Sequence, residues 1–330
     1  MSGIRDVAEL AGVSIGTVSN VLNGRSTVSP ANRTRVEAAI RKLGFVRNES
    51  ARQLRAGSSR VLALMVLDLA NPFFSDVARG VEDVADEHGL MVSVSSTGES
   101  PDRERRYLDL IEEQRVHGLL ITPVSDDAER LDQLVNRGTP VVLVDRGSAG
   151  PHRCSVAVDD VEGGRMAARH LLETGHRDLV YLGGPFDVRQ VRDRLAGARE
   201  AVGGDAMLAV VETPSLTVEA GRAAARALLE DVANRPTAVF CANDLLALGV
   251  LQEVVGRGIR VPDDLAIVGY DDIVYAAAAA IPLTSVRQPR EDLGRAAAQL
   301  LIEEVDDPRH RHRQVVFQPD LVIRASSSRR

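Results

Sequence analysis

The stretch IRDVAELAGVSIGTVSNVLNG, residues 4–24, decides how the first part of the chain folds. Apolar residues fall at Ile4, Val7, Ala8, Leu10 and Ala11, stop at Gly12, and resume at Val13, Val18, Val21 and Leu22. That is the spacing of two short helices sharing one buried face. Gly12 suits the tight turn between them, because a positive φ brings no Cβ clash for glycine, and Ser14 stands where the second helix needs an N-cap. The outward face of that helix then carries Ile15, Gly16, Thr17 and Asn20, small or polar side chains that can approach base edges in a DNA major groove. The same spacing also fits a helical hairpin with no ligand.

The residues on the C-terminal side narrow the choice. Ser29-Pro30 places an N-cap before a proline at the first helical position, and Val36, Ala39, Ile40 and Leu43 repeat at helical spacing, so a third helix closes a small core. Asn48 then caps the short segment ESARQLRAG, which is marginal as an isolated helix yet carries Arg52, Leu54 and Arg55.

The order D-V-A-x-L-A-G-V-S-x-x-T-V-S-x-V-L-N-G over residues 6–24, V-S-P at 28–30 and A-R-x-L-R at 51–55 resembles the lactose-repressor (LacI/GalR) family of bacterial transcriptional regulators. The resemblance implies base-edge positions at Ile15, Gly16 and Asn20, with Ser14, Thr17, Asn23 and Arg25 near phosphates or groove edges. Gly16 offers no side chain where a polar one is common. Asn20 stands where Arg or His often reads a base, and it can contact adenine through N6 and N7. Leu54, apolar on a short basic segment flanked by Arg52 and Arg55, is the residue expected to wedge between base steps in the minor groove. A two-fold dimer on a pseudo-palindromic double-stranded operator is the expected arrangement.

Charge divides the chain in the same place. Residues 1–60 hold ten Arg or Lys against four acids, a net +6, and the whole chain is -7, so the remaining 270 residues carry -13. A basic head on an acidic body suits phosphate binding by the head alone, weakening steeply as salt rises. At 330 residues, 44% hydrophobic and 26% charged, the chain is long enough for more than one domain. Cys154 and Cys241 lie far apart in apolar surroundings and read as buried reduced thiols. The N-terminus lacks the basic-then-apolar run of a secretory leader, and no apolar stretch approaches the roughly 20 residues that span a bilayer, so a cytoplasmic protein without membrane contact is expected.

From residue 61 the pattern changes. Near-continuous apolar runs at 61–67, 90–94, 118–121, 141–144, 179–182, 238–241 and 265–268 alternate with helical patterns, the signature of strands buried on both faces of parallel sheets. Seven such units exceed one sheet. The expected fold is α/β: a helix-turn-helix head over 1–47, a hinge and linker over 48–59, and a two-lobed, doubly wound body over 60–330. The lobes are expected at about 60–158 with 288–317 and 159–287 with 318–330. The return crossing follows from the family resemblance, which implies a body like the periplasmic sugar-binding proteins. The helix expected from Phe73 to His88 covers the first sheet and, by resemblance, contributes to a dimer interface. The tail ASSSRR reads as short, polar and unstructured. It has no leucine heptad of the kind tetrameric relatives add, so a homodimer is expected.

In open α/β sheets ligands sit beyond the carboxyl ends of the strands. Asn71 with Phe73 and Phe74, Asp145-Arg146, Asn243-Asp244 and Asp271 occupy such places, Arg194 starts a helical turn, and Gln288 lies at a lobe crossing. Singly, each has a duller reading as cap, ion pair or core. Together, Asn71, Phe73, Phe74, Asp145, Arg146, Arg194, Asn243, Asp271 and Gln288 resemble the set used by ribose-binding proteins and ribose-type repressors. Carboxylates accept hydroxyl protons, arginine donates in a fixed fork, and an aromatic ring covers a sugar's C–H face. Leu216 stands where an aromatic residue is usual, and Thr122 where Asn can occur. The expected effector is a small sugar, a pentose with ribose first. Control by a protein co-effector or by a non-sugar ligand such as a purine is the alternative, and a sugar receptor without DNA function is a more distant one. No G-x-G-x-x-G, P-loop or G-x-S-x-G is present, and the seven histidines show no metal spacing, so neither catalysis, a cofactor nor a metal is expected.

Overall fold

A computed structural model describes residues 3–24, 27–45, 59–124, 128–147, 150, 152–230, 235–307 and 309–328. Arg25, Arg52, Leu54 and Arg55 lie outside the described residues. The chain divides into two compact units, Met1–Ser59 and Arg60–Arg330. No helix among the described residues is long and apolar enough to cross a membrane.

The described residues of the first unit form α1 (Ile4–Ala11), α2 (Ile15–Leu22) and α3 (Pro30–Leu43). Gly12 ends α1 at φ 63°, and the Ser14 side chain accepts the Thr17 N–H at 3.1 Å, so both turn residues act as the sequence implies. Ser29 caps α3 by accepting the Asn32 N–H at 3.4 Å, with Pro30 in its first turn. Val7, Ala8, Ala11, Val18, Val21, Val36 and Ala39 are the core, one face from each helix. A helix of eight residues is marginal alone, so α1 and α2 hold their shape through this shared face.

The second unit contains two six-stranded sheets of matching order. The first sheet runs β2 (Met91–Ser96), β1 (Val61–Val66), β3 (Gly118–Ile121), β4 (Val141–Val144), β5 (Ser155–Val158) and β11 (Gln314–Phe317), all parallel. The second runs β7 (Met207–Glu212), β6 (Asp178–Gly183), β8 (Ala238–Cys241), β9 (Ala266–Asp271), β10 (Thr284–Arg287) and β12 (Asp320–Val322), parallel except for β12. The seven apolar runs all become strands. Five further strands, β5, β7, β10, β11 and β12, are not among those runs: β7, apolar over Met207–Val211, alternates exposed and partly buried residues at a sheet edge as β11 does, and the others are three or four residues carrying serine, threonine or aspartate.

The chain passes between sheets after β5, after β10 and between β11 and β12. Helices α4 (Pro72–Glu87), α5 (Pro101–Gln114), α6 (Ala128–Asn136) and α12 (Arg290–Asp306) belong with the first sheet. Helices α7 (Asp160–Glu173), α8 (Arg189–Ala201), α9 (Val218–Glu230), α10 (Asp244–Gly256) and α11 (Val274–Ala278) belong with the second. Three helix pairs cross on reciprocal glycines. A Cβ on Gly164 of α7 would lie 1.9 Å from the Arg194 carbonyl oxygen of α8, and one on Gly197 of α8 would lie 1.8 Å from that of Val161. Gly80 with Gly294 joins α4 to α12 in the same way, and Gly221 with Gly249 joins α9 to α10.

The tail corrects the sequence reading. Ser326 and Ser327 are buried, not free. The Ser326 hydroxyl donates to the Ile267 carbonyl at 2.6 Å and accepts the Thr284 N–H at 2.8 Å, while its own carbonyl accepts the Ile267 N–H at 2.9 Å. Ser327 shares hydrogen bonds with Thr284 Oγ1 and His170 Nε2, each at 2.7 Å. Serines that look like solvated chain end thus satisfy backbone groups at the edge of β9, which polar composition alone does not reveal.

Candidate functional site

In the first unit, α2 presents Ile15 and Gly16 exposed and Thr17 and Asn20 partly exposed, with Val18 and Val21 turned into the core. Ser14 is exposed, but its hydroxyl serves the α2 cap and contacts Thr17 Oγ1 at 3.0 Å. Asn23 ends the helix, exposed, with its amide 3.5 Å from Ser19 Oγ. Ile15 is 45% exposed in a unit whose core is small, so a branched apolar side chain stands in solvent on the same face as the polar ones.

The second unit holds a cleft between the carboxyl ends of the two sheets. From the first lobe it is lined by Leu67, Asp68 and Asn71 after β1, Phe73 and Phe74 at the start of α4, Glu99 after β2 and Asp145 after β4. From the second come Val188, Gln190, Val191 and Arg194 on or just before α8, Leu216 after β7, Asn243 after β8 and Asp271 at the end of β9. Both lobes supply walls because both sheets reverse strand order at the same place, beside the strand that starts each lobe.

Local structure fixes each polar group. Asn71 caps α4 through Oδ1, which accepts the Phe73 N–H at 3.0 Å, and its Nδ2 crosses to donate to Asp271 Oδ2 at 3.1 Å. Asn243 caps α10 and donates to the Leu216 carbonyl at 3.1 Å. The Phe73 and Phe74 rings meet edge to face, centroids 4.9 Å apart. Asp145, Asp271 and Glu99 all have positive φ, at 54°, 101° and 59°, conformations that non-glycine residues adopt only when the surrounding structure holds them. Gln190 reaches across the cleft, its amide donating to Asp145 Oδ2 at 3.0 Å and to the Asp145 carbonyl at 2.5 Å. Asp145 Oδ1 is buried and has no hydrogen-bond partner among the described residues.

One cation sits among several carboxylates. Arg194 is buried, donates to Asp160 Oδ1 at 2.8 Å and to the Ala242 carbonyl at 2.7 Å, and lies 3.7 Å from Asp271 Oδ1. Its guanidinium also stacks 3.7 Å from the Tyr270 ring centroid. Burial opposes its charge, but Asp160 and the neighbouring groups outweigh that and hold its pKa well above the usual value. Burial pushes the Asp145, Asp160 and Asp271 carboxyls up, and Arg194 pulls each back.

Not every expected residue lines the cleft. Arg146 is buried behind it, donating to the Pro123 carbonyl at 3.2 Å. Gln288 also lies behind, its amide donating to Asp271 Oδ1 at 2.7 Å, so it positions a lining residue instead of facing the cavity. Thr122 is buried and outside the lining. Of the polar lining residues, sequence reasoning missed Asp68, Gln190 and Glu99. Gln190 stands one helical turn before Arg194 on the same face of α8, a signal that was available; Glu99 follows a T-G turn that nothing singles out.

Glu99 gives the cleft a titration near neutrality. Burial, then repulsion from Asp68, raises its carboxyl from 4.5 to about 7. Between those values the folded chain keeps a proton that the unfolded chain has released, so this group lowers stability as pH rises through the window. The whole shift corresponds to about 3 kcal/mol, which partial exposure reduces to about 1–2. Glu99→Gln is expected to be more stable than the parent by about that amount at pH 8 and equal to it at pH 4, read by urea unfolding. Equal stability at both pH values would remove the effect.

Residues 3–48 match the family described as bacterial regulatory proteins, lacI family, and residues 168–327 match a periplasmic binding protein-like domain. The chain is 34% identical to the HTH-type transcriptional repressor PurR of Aliivibrio fischeri strain ATCC 700601 / ES114, over 100% of this chain and 99% of that one. It superposes on the lac repressor dimer bound to operator and an anti-inducer with a TM-score of 0.86 at 28% identity, covering 99% of each chain. A LacI family regulator from Enterococcus faecium with bound ribose covers 81% of this chain and 98% of its own, at TM-score 0.73 and 25% identity. The head, the two-lobed body and the full-length similarity agree: this chain belongs to the lacI family of bacterial regulatory proteins, DNA-binding transcriptional repressors and not enzymes.

Proposed function

We propose that the chain acts in the cytoplasm as a homodimeric repressor whose operator affinity is set by a small polyhydroxylated ligand in the cleft, a pentose with ribose first. The observation that carries this reading is the pairing of Asp145 and Asp271, one carboxylate from each lobe, with Asp145 Oδ1 buried and lacking a hydrogen-bond partner among the described residues. Vicinal hydroxyls supply the protons such oxygens need. Asn71, Gln190, Arg194 and Asn243 donate in return, and Phe73 and Phe74 cover an apolar C–H face. The ribose-bound relative supports the same reading. A ligand held by both lobes favours their closed arrangement, and operator affinity changes by as much as the ligand distinguishes the two arrangements.

On the DNA side, Ile15, Gly16 and Asn20 are assigned to base edges, Asn20 to adenine, and Ser14, Thr17, Asn23 and Arg25 to groove edges and phosphates. Leu54 is assigned to the minor groove, and Arg52 and Arg55 to DNA contact, on the amino-acid sequence.

A purine is the second reading, kept because of the full-length similarity to a repressor named PurR. A planar base would use the phenylalanines as a stacking surface and leave fewer carboxylate oxygens supplied. Calorimetry with D-ribose, other pentoses, cellobiose and hypoxanthine separates the readings. Ribose is expected to bind, with affinity reduced at least about 100-fold in Asp271→Ala, the loss of a charge-assisted pair with hydroxyls. Tight hypoxanthine binding with no response to any pentose would replace the sugar reading. A gel shift on operator DNA with and without the bound ligand then reads the sign of the response.

A further inference from the structure

We propose that Cys154, Glu304, His310 and His312, none of which lines the effector cleft, form a structural zinc site at the edge of the first lobe. Cys154 immediately precedes β5 and is fully buried, Glu304 lies in the last turn of α12, and the two histidines lie in the connection leading to β11. Their four ligand atoms all lie within 4.8 Å of one another. Cys154 Sγ is 3.1 Å from His310 Nε2 and 3.9 Å from His312 Nδ1, and His312 Nδ1 is 3.8 Å from Glu304 Oε2. Bonds of about 2.0–2.3 Å to a tetrahedral ion separate its ligand atoms by roughly 3.3–3.8 Å. The cluster therefore needs to contract by about 1 Å at its widest to share one ion.

The donor chemistry agrees. One thiolate, two neutral imidazoles and one carboxylate are ligands that zinc accepts in closed four-coordinate sites, and the two negative charges offset the ion's. Glu304 Oε2 is buried with no hydrogen-bond partner among the described residues, a cost that a cation would remove. The Arg313 N–H donates to Cys154 Sγ at 3.3 Å, a contact that a metal-bound sulfur could keep. Glu303 lies 4.0 Å from His310 Nδ1, the ring nitrogen not facing Cys154, an electrostatic contact beyond hydrogen-bond reach. The nearby Arg153 and Arg313 guanidiniums are paired with Asp132 and Glu303, so neither charge faces the site uncompensated. Sequence spacing hides the set, because Cys154 and His310 are 156 positions apart and Glu304 comes from a different element. A bound ion would fasten the connection before β11, the outermost strand of the first sheet, to β5.

Cobalt serves as the optical probe. The tag-free full-length protein, stripped with chelator, is expected to take up one Co²⁺ per chain with intense visible d–d bands and a thiolate-to-cobalt charge-transfer band, and zinc is expected to displace it. Zinc is also expected to raise Tm, since it binds the folded state. His312→Ala, at a partly exposed position, is expected to retain the fold and weaken zinc at least about 100-fold. Cys154→Ser is expected to abolish the charge-transfer band. Absence of tetrahedral cobalt binding in the parent, or full retention of the spectrum in both variants, overturns the site.

Discussion

Arg194→Met is expected to destabilise the body by about 3–5 kcal/mol near neutral pH, the cost of removing one partner from a buried ionic group. Methionine nearly replaces the volume, so packing is the smaller part of the loss. The larger part is electrostatic. Arg194 is the guanidinium that pulls the Asp145, Asp160 and Asp271 carboxyls back toward ionisation against their burial. Without it, Asp160 loses its 2.8 Å donor and the Ala242 carbonyl its 2.7 Å one. The carboxyls would then hold protons to higher pH than in the parent while the unfolded chain releases them as before, so the variant's deficit shrinks as the pH falls. Chemical denaturation at pH 5 and pH 8 checks this, with a smaller deficit at pH 5. A loss below about 1 kcal/mol at pH 8 would mean that the cluster is already neutral in the parent.

Gly197→Ala is expected to cost about 2–3 kcal/mol, although helix propensity alone favours alanine over glycine by about 1. The steric term decides. The added Cβ would stand 1.8 Å from the Val161 carbonyl oxygen, and backbone cannot yield as a flexible side-chain end can. The α7–α8 pair must therefore separate, loosening the helix that carries Gln190 and Arg194 into the cleft. Thermal unfolding reads the stability loss. Calorimetry reads an accompanying fall in ligand affinity without any change to a lining side chain. A variant as stable as the parent would show that the crossing is slack.

The head is legible because its information is local: within 21 residues the apolar spacing, Gly12 and Ser14 specify two helices, their turn and their cap, and the structure uses each of them. The central strands are legible for a related reason, since burial on both faces leaves continuous apolar runs such as Val141–Val144. Strands such as β10, TSVR, carry polar residues whose partners come from the chain's last residues, so the sequence gives no local sign of them. In the cleft, residues placed at strand ends or helix caps, Asn71, Asp145, Asn243 and Asp271, could be found from topology. Orientation could not: Arg146 follows Asp145 directly yet turns away, and Gln288 acts through Asp271. Glu99 depends on a left-handed backbone conformation at an ordinary-looking turn.

The late positions of β11, β12 and Ser326 have a consequence for biosynthesis. Neither lobe can complete its sheet until residues 314–326 have been translated, because the first lobe lacks its outer strand and the second lacks both β12 and the partner of Ile267 until then. The three-helix head, whose core residues and those packed against it end at Phe45, can form while the ribosome is still making the rest. A nascent chain stalled shortly before residue 314 should therefore carry a folded head on an unfinished, protease-sensitive body.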